Sequence, residues 1–297
     1  MIGSRSHSAA SQKTRFFQFK TDRSKNGGKL STAITAAFCL TAMLAAAAGA
    51  GEEDSVAMRK AEALFSQGKI KEATAAYQDV IRSEPDNAKA HERLGACMAA
   101  TVTGSATDKD AYETAILEEK TAIRLDPKYF LPHSMLGKIY TDQGKLDEAI
   151  AEFREALKLK PNSMMGHLDL GLTLTCSGKT DEAIAIYKKA ADLDPKDCRP
   201  HTNLGVLYDM KNDFDNAVKE EETAISLSKA SKQKEYELKS YANLGNFYGN
   251  KGEVDPAINA FKNALKINAK DPNANSGLGW MLQKKGDFKG AIACQRK

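Results

Sequence analysis

The chain has 297 residues, 42% of them hydrophobic and 28% charged, with 7% aromatic residues and a single Trp. This composition excludes a fibrous or disordered chain, and its plentiful alanine and scarce aromatics favour helix over sheet. The net charge is +4, but residues 1–50 carry seven bases and one acid, which leaves residues 51–297 at −2. A body with no basic excess argues against nucleic-acid binding, which works by neutralising phosphates.

The first element in chain order is a targeting segment. A basic stretch ends at Lys29, and Leu30–Gly51 then runs without a charge. The run closes on Ala48-Gly49-Ala50, a small-x-small cleavage pattern, followed by Glu52-Glu53-Asp54. This is the layout of a secretory signal peptide. The run is also long enough for an uncleaved membrane anchor, although its alanine-rich content makes a weak one. A third reading is an organelle transit peptide, since residues 1–31 contain Ser and Arg and are poor in acids. The signal and anchor readings both place the remainder outside the cytoplasm: periplasmic, extracellular or membrane-anchored.

From Asp54 onward the sequence repeats. Leu-Gly pairs stand at Leu94-Gly95, Leu136-Gly137, Leu170-Gly171, Leu204-Gly205, Leu244-Gly245 and Leu278-Gly279, spaced 42, 34, 34, 40 and 34 residues apart. A second ladder is Ala73, Ala115, Ala149, Ala183, Ala217, Ala257 and Ala291, and a third is Pro85, Pro127, Pro161 and Pro195. Within one period, Leu136, Gly137 and Tyr140 fall on one face of a first helix. Ala149, Phe153 and Ala156 fall on one face of a second. Gly144 permits the tight turn between them, and Pro161 ends the second helix. One such pair cannot bury its own apolar face, so neighbours must stack.

The 34-residue period and these ladders resemble the tetratricopeptide repeat family. The clearest copy is HSMLGKIYTDQGKLDEAIAEFREALKLKP, from His133 to Pro161. The resemblance covers residues 54–297 and implies an all-α fold, a right-handed α-solenoid of about seven helix-turn-helix repeats with a concave and a convex surface. The repeats begin near residues 54, 88, 130, 164, 198, 238 and 272, and the last is incomplete. Repeat 2 carries extra residues near Thr101–Asp108, expected as an exposed loop. Repeat 5 carries extra residues near Ala230–Glu235, expected to extend its second helix. Glu119 and Glu221 replace the aromatic that is Tyr77, Phe153, Tyr187 or Phe261 elsewhere, and are expected to turn towards solvent. At the far end, Phe288, Ala291 and Ile292 are expected to lack a neighbour, leaving an apolar end suited to self-association.

Chemistry is sparse. His91, His133, His167 and His201 each stand three residues before a Leu-Gly pair. Equivalent positions in stacked repeats lie roughly 10 Å apart, too far to share a zinc ion, so they read as packing residues. No CxxC pair and no phosphate-binding or nucleophile motif occurs. The expectation is a noncatalytic protein with no metal and no cofactor.

The resemblance places partner binding on the concave surface, lined by the first helix of each repeat. There stand Leu168 and Leu172 in repeat 4, Val206 and Met210 in repeat 5, and Asn246 in repeat 6, with Met165 adding adaptable surface. Some family members grip C-terminal carboxylates with a Lys, Arg and Asn cluster; Leu168 and Leu172 occupy its positions here, so that clamp is rejected. Asn203 and Asn243 are candidates for binding an extended peptide's backbone. The expected ligand is an apolar peptide or amphipathic helix of a partner protein, with no nucleic acid and with membrane contact only through the N-terminal segment. The alternatives are a structural protein that self-assembles through its C-terminal end and an accessory subunit of an envelope complex.

Overall fold

Seven helix pairs run from Val56 to Gln295 in a computed structural model that describes residues 54–102 and 108–295. In chain order these begin with α1 (Val56–Ser66) and α2 (Ile70–Ser83), α3 (Ala88–Ala100) and α4 (Asp108–Leu125), and α5 (Phe130–Asp142) and α6 (Leu146–Leu159). They continue with α7 (Met164–Cys176) and α8 (Thr180–Leu193), α9 (Arg199–Met210) and α10 (Phe214–Ala230), α11 (Lys234–Lys251) and α12 (Val254–Ile267), and α13 (Pro272–Lys285) and α14 (Phe288–Gln295). No strand occurs among the described residues. The fold is all-α and of the solenoid type, and within each compact unit successive helices lie against one another. The segment expected to act in targeting lies outside the described residues. Among those described, no helix is long and apolar enough to cross a membrane.

The chain divides into two compact units that part between Gln143 and Gly144. The N-terminal unit is built on one core, in which Met58, Phe65, Tyr77, Val80, Leu94, Cys97, Met135 and Ile139 are buried together. Phe65 meets Tyr77 edge to face, with ring centroids 6.2 Å apart.

The C-terminal unit shows why the repeat needs its Leu-Gly pair. The aromatic of the second helix packs against the glycine of the first. A methyl group on Gly171 would sit 2.7 Å from the Tyr187 ring. Phe261 is held more tightly, since a methyl on Gly245 or Gly277 would lie 2.7 or 2.3 Å from its ring. Phe261, Ile258, Leu278 and Met281 form one buried cluster, and Ile225, Leu244 and Ala260 another. Helix starts are fixed locally. The Ser163 hydroxyl accepts from the Gly166 N–H at 3.2 Å, and the Asp271 carboxylate accepts from the Ala274 N–H at 2.7 Å.

Three expectations are corrected, and a fourth falls outside the described residues. Glu119 and Glu221 do not turn to solvent; both are fully buried. The extra residues of repeat 5 do not lengthen one helix. They lengthen both, to 17 residues in α10 and 18 in α11, around a turn in which Lys232 adopts φ 58°. In repeat 2 the second helix starts at Asp108, and most of the loop expected near Thr101–Asp108 lies outside the described residues. Ala291 is buried, whereas Phe288 and Ile292 are 64% and 51% exposed.

Candidate protein-binding face on the first helices

The first helices of the C-terminal unit, α7, α9, α11 and α13, lie in a row. Side-chain contacts establish each step. The Arg199 Nη1 donates to the Met165 sulfur at 3.3 Å, joining α7 to α9. The Asn250 Nδ2 donates to both carboxylate oxygens of Asp209, at 2.9 and 3.2 Å, joining α9 to α11. A methyl on Gly249 would meet Met281 at 3.2 Å, so α11 and α13 approach closely.

The register of the Leu-Gly pair decides what this row presents. Leu170, Leu204, Leu244 and Leu278 are all buried. Two residues further on, the helix has turned its side chain outward: Leu172 is 53% exposed, Val206 half-buried, Asn246 exposed and Trp280 52% exposed. Four residues beyond Val206, Met210 is 43% exposed on the same side of α9. Large apolar groups therefore stand in water on a face whose inner neighbours are packed.

The sequence-derived candidates separate into two groups. Leu172, Val206, Met210 and Asn246 lie outward on this row, and Met165 and Asn203 are half-buried at its edge. Leu168 is buried and serves packing. Asn243 is turned inward, where its Nδ2 donates to the Glu221 Oε1 at 2.6 Å. Trp280 is the residue that sequence reasoning missed. Its signal is the same register, two residues after Leu278, carried one repeat beyond the last one considered.

That inward bond belongs to a buried acid. Glu221 stands where other repeats place an aromatic, with its Cγ 3.1 Å from where a methyl on Gly205 would lie. Its Oε2 has no hydrogen-bond partner. Burial pushes the Glu221 carboxyl up to about 8, because removal from water disfavours the charged form.

The corresponding face of the N-terminal unit is closed instead by a buried ionic network. Arg93 Nε donates to Glu62 Oε1 at 2.9 Å, and its Nη1 lies 3.2 Å from Glu92 Oε2. The Tyr129 hydroxyl donates to the same Glu92 oxygen at 3.2 Å, and the Arg93 guanidinium lies 5.6 Å from the Phe65 ring centroid. Glu92 and Arg93 are 2% and 3% exposed, so this surface offers little to a partner.

The histidine ladder is occupied by hydrogen bonds. His91 Nδ1 lies 2.6 Å from Glu118 Oε2, His201 Nδ1 2.7 Å from Glu220 Oε2, and His167 Nδ1 2.9 Å from the Ser163 carbonyl. Among the described residues no three His, Cys, Asp or Glu side chains gather as a metal site requires. A shallow depression of about 580 Å³ lies away from the row, lined by Arg154, Leu157, Lys158 and Leu193 of second helices and by His167. It contains none of the outward row residues, and Arg154 and Lys158 pair with Glu182 and Glu155.

Comparison with known proteins agrees with the repeat fold. TPR repeat profiles match residues 61–101, 137–175 and 173–212, and a tetratricopeptide repeat profile matches residues 238–271. No curated protein matches the chain. Among solved structures, YrrB, described as a TPR protein with an unusual peptide-binding site, is 16% identical with a TM-score of 0.54 over 71% of this chain and 98% of its own. The APC/C hetero-tetramer Cut9-Hcn1 contains a chain 20% identical, with a TM-score of 0.60 over 86% of this chain and 48% of that one. A tetratricopeptide repeat protein from Parabacteroides merdae is 15% identical, with a TM-score of 0.59 over 80% of this chain and 89% of its own. At these identities the likeness is one of fold. Repeat period, helix pairing and matched profiles together place this chain in the tetratricopeptide repeat family.

Proposed function

We propose that the protein is a noncatalytic scaffold that holds an apolar segment of a partner protein against the first-helix row of its C-terminal unit. The observation that carries this reading is the outward placement of Leu172, Met210 and Trp280 on one row, 53%, 43% and 52% exposed. Soluble proteins seldom leave such groups aligned in water without a use. Val206 and Met165 extend the apolar strip, while Asn203 and Asn246 supply amide groups for a bound backbone. Peptide binding is described for YrrB, which shares the fold. The uncharged run Leu30–Gly51 behind a basic stretch supports export or anchoring as the setting. The test is the double substitution Leu172→Asp with Val206→Asp. Partner that co-purifies with the unaltered chain should be lost with helicity by circular dichroism unchanged, and retained partner would refute the reading.

A second reading is favoured by α14, where Phe288 and Ile292 remain 64% and 51% exposed. On this reading copies of the chain associate through α14. Sedimentation should then show mass rising with concentration, and Phe288→Asp should abolish the rise. A mass independent of concentration would remove this reading.

A further inference from the structure

We propose that Asp209 selects, for this face, partner segments in which an arginine or lysine stands beside an apolar anchor. The inference rests on the reading of the first-helix row as the docking surface and adds the charge of its ligand.

Asp209 sits in the middle of the row. It is three residues from Val206 and so stands on the same side of α9. Its carboxylate is half-buried, and both oxygens are held by the single amide of Asn250 at 2.9 and 3.2 Å. Among the described residues no cation lies within ion-pair distance of it. Four exposed aspartates of the C-terminal unit are met differently. At the starts of α6, α8, α10 and α12 an exposed aspartate is matched by a lysine from the following repeat: Asp147 with Lys179 at 2.8 Å, Asp181 with Lys211 at 2.6 Å, Asp215 with Lys251 at 3.0 Å and Asp255 with Lys285 at 2.6 Å. The chain thus supplies cations where water would already screen the charge. It leaves none at the aspartate that water screens less.

A half-buried carboxylate beside apolar groups is costly unless a cation joins it. The Asn250 amide orients the group without neutralising it, which leaves lone pairs on both oxygens for an incoming guanidinium or ammonium. An apolar segment with no charge would cover Asp209 and deepen its desolvation. One carrying an acid would repel it. A segment that places a cation there satisfies the carboxylate while its apolar neighbours cover Leu172, Val206 and Met210. Burial already raises the Asp209 carboxyl above its ordinary value, as expected for a charge that lacks compensation.

The test is selection of a phage-displayed library of random peptides on the full chain. Peptides that are enriched should carry Arg or Lys next to a large apolar residue. Replacing that basic residue by Gln should weaken binding to the unaltered chain about ten- to a hundredfold. The same replacement should change nothing on the Asp209→Asn variant, which keeps a side chain able to bond Asn250. Enriched peptides that are apolar without a basic bias, that bind Asp209→Asn as well as the unaltered chain, and that are lost on Leu172→Asp with Val206→Asp would overturn the inference and leave the docking face standing. Peptides that bind that double variant undiminished, or a selection that enriches none, would overturn both.

Discussion

The carboxyl group of Glu221 lies wholly out of water, with Asn243 on one oxygen and no partner on the other. Its pKa of about 8 is far above that of a glutamate in an unfolded chain. Between those two values the unfolded chain has released the proton and the native chain keeps it. Stability therefore falls as pH rises through this window, by up to about 1.4 kcal/mol per pH unit from this group. Above the native value both states are ionised and the loss levels off. Glu221→Gln keeps the acceptor for Asn243 without the charge. We expect it to melt like the unaltered protein near pH 4.5 and well above it at pH 8; equal melting temperatures at both would contradict the assignment. The sequence showed that Glu119 and Glu221 occupy aromatic positions but not that they are buried. Sequence register is the same for a glutamate turned outward and for one kept inside. The inside solution depends on Asn243 in the next repeat, a contact no local pattern reveals.

At the scale of helices and turns, close approach is the governing feature. Gly171→Ala forces the added methyl into the Tyr187 ring, 2.7 Å away, and the ring is fully buried with nowhere to move. We expect a loss of about 1–3 kcal/mol in a denaturant titration; no loss would mean that the helices slide apart freely. The turns give the opposite prediction. Most pairs turn through a glycine with positive φ, but Asn212 takes that place between α9 and α10 at φ 59°, and Lys232, in the turn from α10 to α11, adopts φ 58°. That conformation costs a side-chain-bearing residue about 1–2 kcal/mol, and asparagine less than lysine. Lys232→Gly should raise Tm by about 1–3 °C and Asn212→Gly by less, measured by calorimetry; a lowered Tm for Lys232→Gly would count against the strain. These elements were legible because the Leu-Gly, Ala and Pro ladders are the contact points of the pairs themselves. The split of the repeat 5 insertion between α10 and α11 was not. Its turn joins two repeats through a positive-φ lysine, where the pattern leads one to look for the proline ladder.

At the scale of the molecule, the two units share a repeat and differ in what their first helices present. In the N-terminal unit Arg93, Glu92, Glu62 and Tyr129 bond one another. In the C-terminal unit Leu172, Met210 and Trp280 stand outward, around an aspartate without a cation. The outward row follows from counting two residues past each Leu-Gly pair, so most of the candidate face could be read in advance. The Asp209–Asn250 bond and the closure of the other face could not, since each joins residues more than thirty positions apart. The measurement that tests the central claim most directly is photo-crosslinking in cells from a reactive side chain placed at Leu172. Leu193, an exposed leucine on α8 away from the row, serves as the control position. The account predicts crosslinks to a distinct protein from position 172 only, lost when Val206→Asp is added. The same crosslinks from both positions, or none from position 172, would contradict it.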